Sequence, residues 1–428
     1  MTAESMSEAA GETEPWRAAA AETAHPRDVA EVAAAVRRAG AEGRAIAVRA
    51  GGHGHWTPEP GALTIDLRAL ASVEVEGARV RIGGGALWHE VAEQLAPHGL
   101  AISSGDTATV GVGGLTLGGG VGWMVRAWGL AADQLRGAQV VVADGRIVEA
   151  SATENPELFW ALRGGGGNLG VVTRFDFEAH SLPGIAFADL KAADDHGAFL
   201  RAMRDVLRDA PRELTTTFMD VPPMDPSAPP GAGLTAVWAG PEPERLAGVL
   251  APVRALPGVA GEVTTPSYRE ILMEMPANDG PAEEQGPPGF LGGNGLFAEL
   301  DDDLIDRLVA FRRDHPASVT FVRSLGGAFG DVPQAETPFP GRGASWFVMA
   351  GAFDHPGIDE ESRTAALRDW AAIGARRLSG YGNFTDAASG EDVRRMYEPE
   401  AFARLARIKA EWDPRNLFRT NHNVPPTA

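Results

Sequence analysis

The chain of 428 residues contains no cysteine. Disulfides, thiolate nucleophiles and cysteine-ligated metals are excluded, so any redox chemistry must come from a bound cofactor. Basic residues are scarce: 38 Lys and Arg stand against 58 Asp and Glu, a formal charge of −20. With no Lys/Arg block, the chain lacks the footprint that nucleic acid or an anionic membrane surface requires. No stretch approaches the roughly 18 apolar residues of a membrane span. The acidic opening MTAESMSEAAGETEPW has no apolar core and does not read as a secretory signal. The expectation is a cytoplasmic protein with a disordered leader over residues 1–24. Tyrosine is rare as well, with Tyr268, Tyr381 and Tyr397 the whole supply of phenols for acid–base work. The common nucleotide fingerprints are missing too. Gly111 and Gly113 are followed by Thr116 where GxGxxG needs glycine, and no GxxxxGK[ST] run exists.

Glycine, by contrast, is plentiful, and two loops concentrate it: RAGGHGH at 49–55, and TVGVGGLTLGGGVG at 109–122 with seven glycines. Small spacers let successive backbone N–H groups point at phosphate oxygens. Two such loops suggest a large polyanionic ligand approached from two sides, and a flavin nucleotide fits. The first loop also carries an imidazole, His53.

A chain of this length with 44% hydrophobic residues exceeds what one core usually holds, which predicts two domains. Periodicity predicts a helix over 25–43 with a glycine stop, strands at 45–51 and 62–67, a hairpin turning at Glu76 and Gly77, and a helix over 86–100. A second hairpin turns at Asp144 and Gly145, and a short helix leads through RGGGGNLG into a strand from 171. From about 184 to 375 the texture changes. LTTTFMDV, GLTAVWAG, SVTFVRSLGGAFG and ASWFVMAGAFD predict an antiparallel sheet, with helical patterns at 195–210, 242–256, 299–315 and 358–379 between them. The stretches 222–233 and 276–295 are loops by composition, either surface linkers or lids.

Several ordered motifs together resemble those of one family. RAGGHGH looks like an R-x-G-G-H loop, SGDTATVGVGG like G-x-C-P-T-V-G-V-G-G, and LFWALRGGGGNLGVVT like FWALRGGGGNFG. YGNFTD and RLARIKAEWDPRNLFRTNHNVPP look like a Y-x-N element and a KxxxDPxNxFR signature. The chain resembles the berberine bridge enzyme-like branch of the FAD-linked oxidases, bacterial type, within the vanillyl-alcohol oxidase superfamily and its PCMH-type FAD domain. The matches cover residues 25–180 and 376–426, and the middle third is similar only as an architecture.

The resemblance implies an α+β fold: a PCMH-type FAD-binding domain of two α/β lobes over 25–183 and a substrate domain with an antiparallel sheet covered by helices over 184–375. A C-terminal segment, 376–428, completes the FAD domain. It implies FAD against Arg49, Ala50, Gly51, Gly52, His53 and Gly54, against Thr107, Thr109, Val110, Gly113, Gly114, Gly119 and Gly122, against Gly170 and Val172, and against Asn383, Asn421 and Asn423. No metal is implied. In that family the loop histidine is joined covalently to the flavin, a role that passes to His53, the plain alternative being a loop histidine satisfied by backbone. His55, two residues on, faces the other side in an extended loop. Many members attach FAD a second time through the cysteine of G-x-C-P-T. Thr107 stands there, so attachment is single. Leu115 replaces a histidine the family often places near the flavin, and Val110 occupies the position associated with oxygen access.

Tyr381 in YGN is the expected general base, provided that neighbours lower a pKa ordinarily near ~10. Simple core packing is the alternative for it, and the favoured role for Tyr268. Asn383 is expected to orient the loop. The implied activity is an FAD-dependent oxidase that takes hydride from a small organic substrate to flavin N5 and reduces O2 to H2O2. An alcohol on a secondary metabolite is preferred over a sugar, because few aromatics in the middle domain offer a stacking platform. A flavin dehydrogenase, an oxygenating flavoenzyme, a sugar oxidase and a non-enzymatic FAD- or ligand-binding protein remain alternatives.

Overall fold

The computed structural model of the chain describes residues 22–54, 58–223, 231–274, 289–355, 357–385 and 389–427. The first helix, Val29–Glu42, begins where the Asp28 side chain accepts the Glu31 N–H and stops at Gly43, whose φ of 68° suits glycine. Val32, Val36 and Ala39 on its apolar stripe pack on a three-stranded parallel sheet in the order β1-β3-β2. Its strands are β1 (Glu22–Ala24), β2 (Ile46–Arg49) and β3 (Leu63–Asp66). Glu22 pairs with Leu63, so the leader expected through residue 24 already gives way to paired backbone at 22.

A five-stranded antiparallel sheet follows, in the order β4-β5-β9-β7-β8. Here β4 is Val73–Glu76 and β5 Arg79–Gly83; after the short β6 (Leu100–Ala101) come β7 (Leu135–Val141), β8 (Ile147–Ser151) and β9 (Val171–Glu178). The expected turns at Glu76–Gly77 and Asp144–Gly145 join β4 to β5 and β7 to β8. β10 (His180–Ser181) closes the region by pairing with β6.

The remaining strands form one seven-stranded antiparallel sheet, ordered β14-β11-β13-β12-β16-β17-β15. They are β11 (Ala186–Ala192), β12 (Leu214–Asp220), β13 (Ala232–Trp238), β14 (Val259–Thr264), β15 (Gly289–Phe297), β16 (Ser318–Ser324) and β17 (Trp346–Asp354). Period-two alternation divides its faces. Phe218, Val322 and Val348 turn toward the helices His196–Leu207, Asp302–Asp314 and Glu360–Gly374. Met219, Phe321, Phe347 and Met349 turn the other way, toward Val121, Leu130 and Tyr381.

β15 corrects the end of the compositional reading of 276–295 as loop, since GFLGGNGLF pairs with β17 along nine residues. Close packing explains the glycines. A Cβ on Gly293 would lie 2.7 Å from the Trp370 indole nitrogen, and one on Gly295 would lie 2.7 Å from Arg377 Cβ. Residues 224–230 and 275–288, which make up most of the two possible lids, lie outside the described residues, as does His55. Among the described residues no helix is long and apolar enough to cross a membrane.

The chain end returns to the first sheet. Ile46 donates its N–H to the Leu417 carbonyl at 2.8 Å, and Leu417 and Phe418 join the core under the first helix. A fully buried ion pair holds this return. Lys409 Nζ reaches Asp413 at 2.7 Å and the carbonyls of Asn168 (2.6 Å) and Phe418 (2.8 Å), while the Asp413 carboxylate accepts the N–H groups of Leu417 and Phe418. Burial pushes the lysine pKa down and Asp413 opposes it. Lys409→Met strips one partner from a sealed carboxylate, which should cost about 3–5 kcal/mol. Thermal unfolding checks this, and an unchanged midpoint would show that the pair does not hold the segment.

Candidate active site

The two glycine loops meet. A side chain on Gly51 would run into the Gly111 nitrogen, and one on Gly111 would lie 2.6 Å from the Gly51 nitrogen. Only backbone can cross at that separation. The crossing brings His53 to the second loop, where its Nε2 meets Thr109 Oγ1 at 2.8 Å. The half-buried Val110, next to Thr109, takes the Trp88 N–H on its carbonyl. Arg49, Ala50 and Gly52 are half-buried around the crossing and Gly54 is exposed. Thr107 is 8% exposed and bridges to Met273, so the position where a second tether would stand is packed.

Several glycines of the long run make room for neighbouring protein atoms. Gly113 and Gly114 lie inside the helix Val112–Leu117, where only Gly114 opens onto free space. The room left by Gly119 is filled by Phe339, that of Gly122 by the Ser104 carbonyl and that of Gly118 by the Asn383 amide. These glycines admit protein. Gly170 leads into β9 beside the Val141 carbonyl, and Val172 is 4% exposed in the core of the five-stranded sheet.

Gly118 matters because Asn383 reaches Tyr381 through it. Asn383 Nδ2 donates to the Leu115 carbonyl (3.1 Å) and to Tyr381 Oη (3.0 Å). The Gly120 and Val121 N–H groups donate to the same phenolic oxygen at 3.1 and 3.3 Å. Leu115 thus contributes its carbonyl, which orients the Asn383 amide; its side chain packs between Gly105 and Gly120. The Tyr381 ring is 2% exposed and packs against Phe339, Phe347 and Phe384 at centroid distances of 5.5, 5.8 and 5.6 Å.

Of these rings the middle-domain Phe339 and Phe347 are buried in packing, and Phe384, outside that domain, is exposed. The expected lowering of the Tyr381 pKa is corrected. Burial pushes it up and outweighs the three donors, with the Asp106 charge adding to the rise. Tyr268 Oη meets Ser104 Oγ at 2.8 Å, and burial pushes its pKa up to about 12. That suits a packed, satisfied phenol.

Sequence reasoning missed Asn294. Its side chain, 6% exposed on β15, accepts the Tyr381 N–H at 2.7 Å and donates to the carbonyls of Tyr381 (3.2 Å) and Phe384 (2.9 Å). A polar residue inside GGNG reads as a turn, so no signal in the sequence marked it. Arg323 was missed too; it pairs with Asp106 at 2.6 Å and so ties β16 to the second glycine loop.

The site suits a flavin nucleotide. The amide oxygens of Asn421 and Asn423 are buried without a hydrogen-bond partner among the described residues. Polar edges of a cofactor would satisfy them. Their backbone is held by Asn168, which donates to the His422 carbonyl (3.0 Å) and accepts the Val424 N–H (3.0 Å).

Comparison with known proteins agrees. A family model described as an FAD binding domain matches residues 20–151, and one described as berberine and berberine like matches 380–425. The (R)-6-hydroxynicotine oxidase of Paenarthrobacter nicotinovorans is 31% identical over 424 residues, 92% of this chain and 89% of that protein. The solved structure of 6-hydroxy-D-nicotine oxidase from Arthrobacter nicotinovorans superposes with a TM-score of 0.80 at 26% identity, over 98% of this chain and 96% of that one. The glucooligosaccharide oxidase of Acremonium strictum, whose FAD is 6-S-cysteinyl and 8α-N1-histidyl, gives 0.81 at 26% identity over 98% and 94%. Crossed glycine loops, a phenol held by three donors and a chain end folded back on the first sheet converge with these likenesses: the chain belongs to the berberine-like family of FAD-linked oxidoreductases.

Proposed function

We propose that the protein oxidises a hydroxyl or related group on a small, largely apolar organic molecule, with Tyr381 as general base and His53 as the single covalent anchor of FAD. When bound, FAD supplies the hydride acceptor and returns the electrons to O2 as H2O2. The observation that carries the reading is the Tyr381 oxygen, which receives three hydrogen bonds at once. Three donors on one phenolic oxygen offset part of the burial that holds the Tyr381 pKa above its ordinary value, so the phenolate that acts as base is the minor form at neutral pH. Tyr381 Oη takes the substrate's hydroxyl proton, and the Gly120, Val121 and Asn383 donors hold the oxygen in place while it does so. Asn294 is a positioning residue that fixes the Tyr381 backbone from both sides. At His53, the Thr109 hydroxyl orients the ring.

The substrate lies against the sheet face that carries Met219, Phe321, Phe347 and Met349. That surface favours an apolar body over an oligosaccharide, which needs a dense set of polar partners. Val110, half-buried in the second loop, is the small side chain assigned to leave oxygen a way in. The deciding experiment reduces the FAD-loaded enzyme anaerobically with a panel of aromatic and alicyclic alcohols and then admits air. One H2O2 per turnover is expected. A reduced flavin that persists in air and passes electrons only to an artificial acceptor would make the protein a dehydrogenase, and a flavin that no ligand reduces would make it a binding protein.

A further inference from the structure

Arg323 is 2% exposed, and among the described residues its guanidinium is only partly satisfied. Nε donates to Thr217 Oγ1 at 2.8 Å and Nη2 to Asp106 Oδ2 at 2.6 Å, while Nη1 has no hydrogen-bond partner. A guanidinium carries five donors in a fixed fork, so Nη1 is left to meet a further acceptor. The head is held in place by rings on two sides, with Trp123 at 4.6 Å and Phe321 at 5.1 Å from its central carbon. It cannot swing away to find another partner.

Register places this fork beside the chemistry. Arg323 pairs across the sheet with Thr217 on one side and Phe347 on the other, so all three share the face turned toward the flavin loops. Phe347 meets the Tyr381 ring edge-on. One side chain therefore separates the unmet donors from the proposed base. The next rung of the same face is Met219, Phe321 and Met349, an apolar bed that ends on β15 at Asn294, whose amide oxygen is engaged by the Tyr381 N–H. Asp106 already balances the charge of Arg323. A second carboxylate there would face that anion, whereas a neutral acceptor gains the hydrogen bond without the repulsion.

We propose that Arg323 determines substrate specificity: Nη1 donates to a neutral acceptor, a carbonyl oxygen or a ring nitrogen, on a substrate whose apolar remainder lies on Met219, Phe321 and Met349. This rests on the assignment of that face as the substrate side. The substrate class narrows to apolar molecules that carry such an acceptor in addition to the oxidised group.

Ligand titration of the oxidised, FAD-loaded protein tests it through perturbation of the flavin absorption, with no turnover needed. Acetophenone should bind about 10- to 100-fold more tightly than ethylbenzene, the effect of one hydrogen bond to a charged donor. Benzoate should bind no more tightly than acetophenone. Arg323→Met leaves Asp106 unpaired and can unfold the loop, so the informative variant is Arg323→Met with Asp106→Asn, its FAD absorption and melting midpoint confirming that it folds. In that variant the preference for acetophenone over ethylbenzene should vanish while ethylbenzene binds as before. Equal binding of the two ligands to the wild type, or a preference that survives in the double variant, overturns the role of Arg323 and leaves the oxidase reading intact. If neither ligand perturbs the flavin, the apolar substrate face falls and Arg323 with it. Failure of every alcohol to reduce the flavin, with the ligand preference present, sinks only the proposed activity.

Discussion

Replacing Tyr381 with phenylalanine slows substrate-driven flavin reduction by about 10²- to 10⁴-fold, the span that a positioned general base contributes. The substitution keeps the ring that packs on Phe339, Phe347 and Phe384, so the flavin spectrum should change little, while the donors left without the phenolic oxygen should lower stability by about 1–3 kcal/mol. The pH dependence adds a second, independent signature. Burial raises the Tyr381 pKa above its ordinary value of 10.0. The deprotonated fraction therefore grows about tenfold per pH unit up to about pH 10, and the wild-type reduction rate should climb with it without reaching a plateau. The Phe variant should lose that slope. Stopped-flow reduction across the pH series decides the matter: a variant that reduces at the wild-type rate, or a wild-type profile that levels off near neutrality, removes Tyr381 from the proton transfer.

His53→Ala should convert a protein whose yellow colour stays in the acid-precipitated pellet into one whose colour passes wholly into the supernatant. The wild-type result depends on a single bond, because the chain has no cysteine and Thr107 is packed against Met273 where a second tether would stand. The alanine variant gives up the hydrogen bond to Thr109, worth about 0.5–1.5 kcal/mol, in a half-buried loop. It should fold and bind FAD reversibly, at a lower affinity that dialysis reveals. Wild-type colour found entirely in the supernatant would show that His53 forms no bond to the cofactor and would reduce its role to holding Thr109.

Most of the local structure was legible because local chemistry sets it. Asp28 and Gly43 bound the first helix, turn residues mark the hairpins at Gly77 and Gly145, and alternation in VTFVRS and WFVMAGAF marks strands that bury both faces. β15 was not legible. Its glycines answer to Trp370 and Arg377, which arrive from a helix and the turn after it some 80 residues later in the chain, and composition alone cannot distinguish a glycine that turns from a glycine that makes room. The same ambiguity runs through the second glycine loop, where Gly118 and Gly119 make room for Asn383 and Phe339.

By itself the sequence determined the cofactor class and the family, and it singled out His53, Thr107 and Tyr381 as candidates, because they sit in motifs whose spacing is local. Tertiary structure decided how those residues are held and tuned. The three donors on Tyr381, the grip of Asn294 on its backbone and the pairing of Arg323 with Asp106 join positions from 2 to 261 residues apart. Those contacts depend on strand register and on which face of a sheet a side chain takes. So does the direction of the Tyr381 pKa, since burial is a property of the whole packed site and no window of sequence contains it.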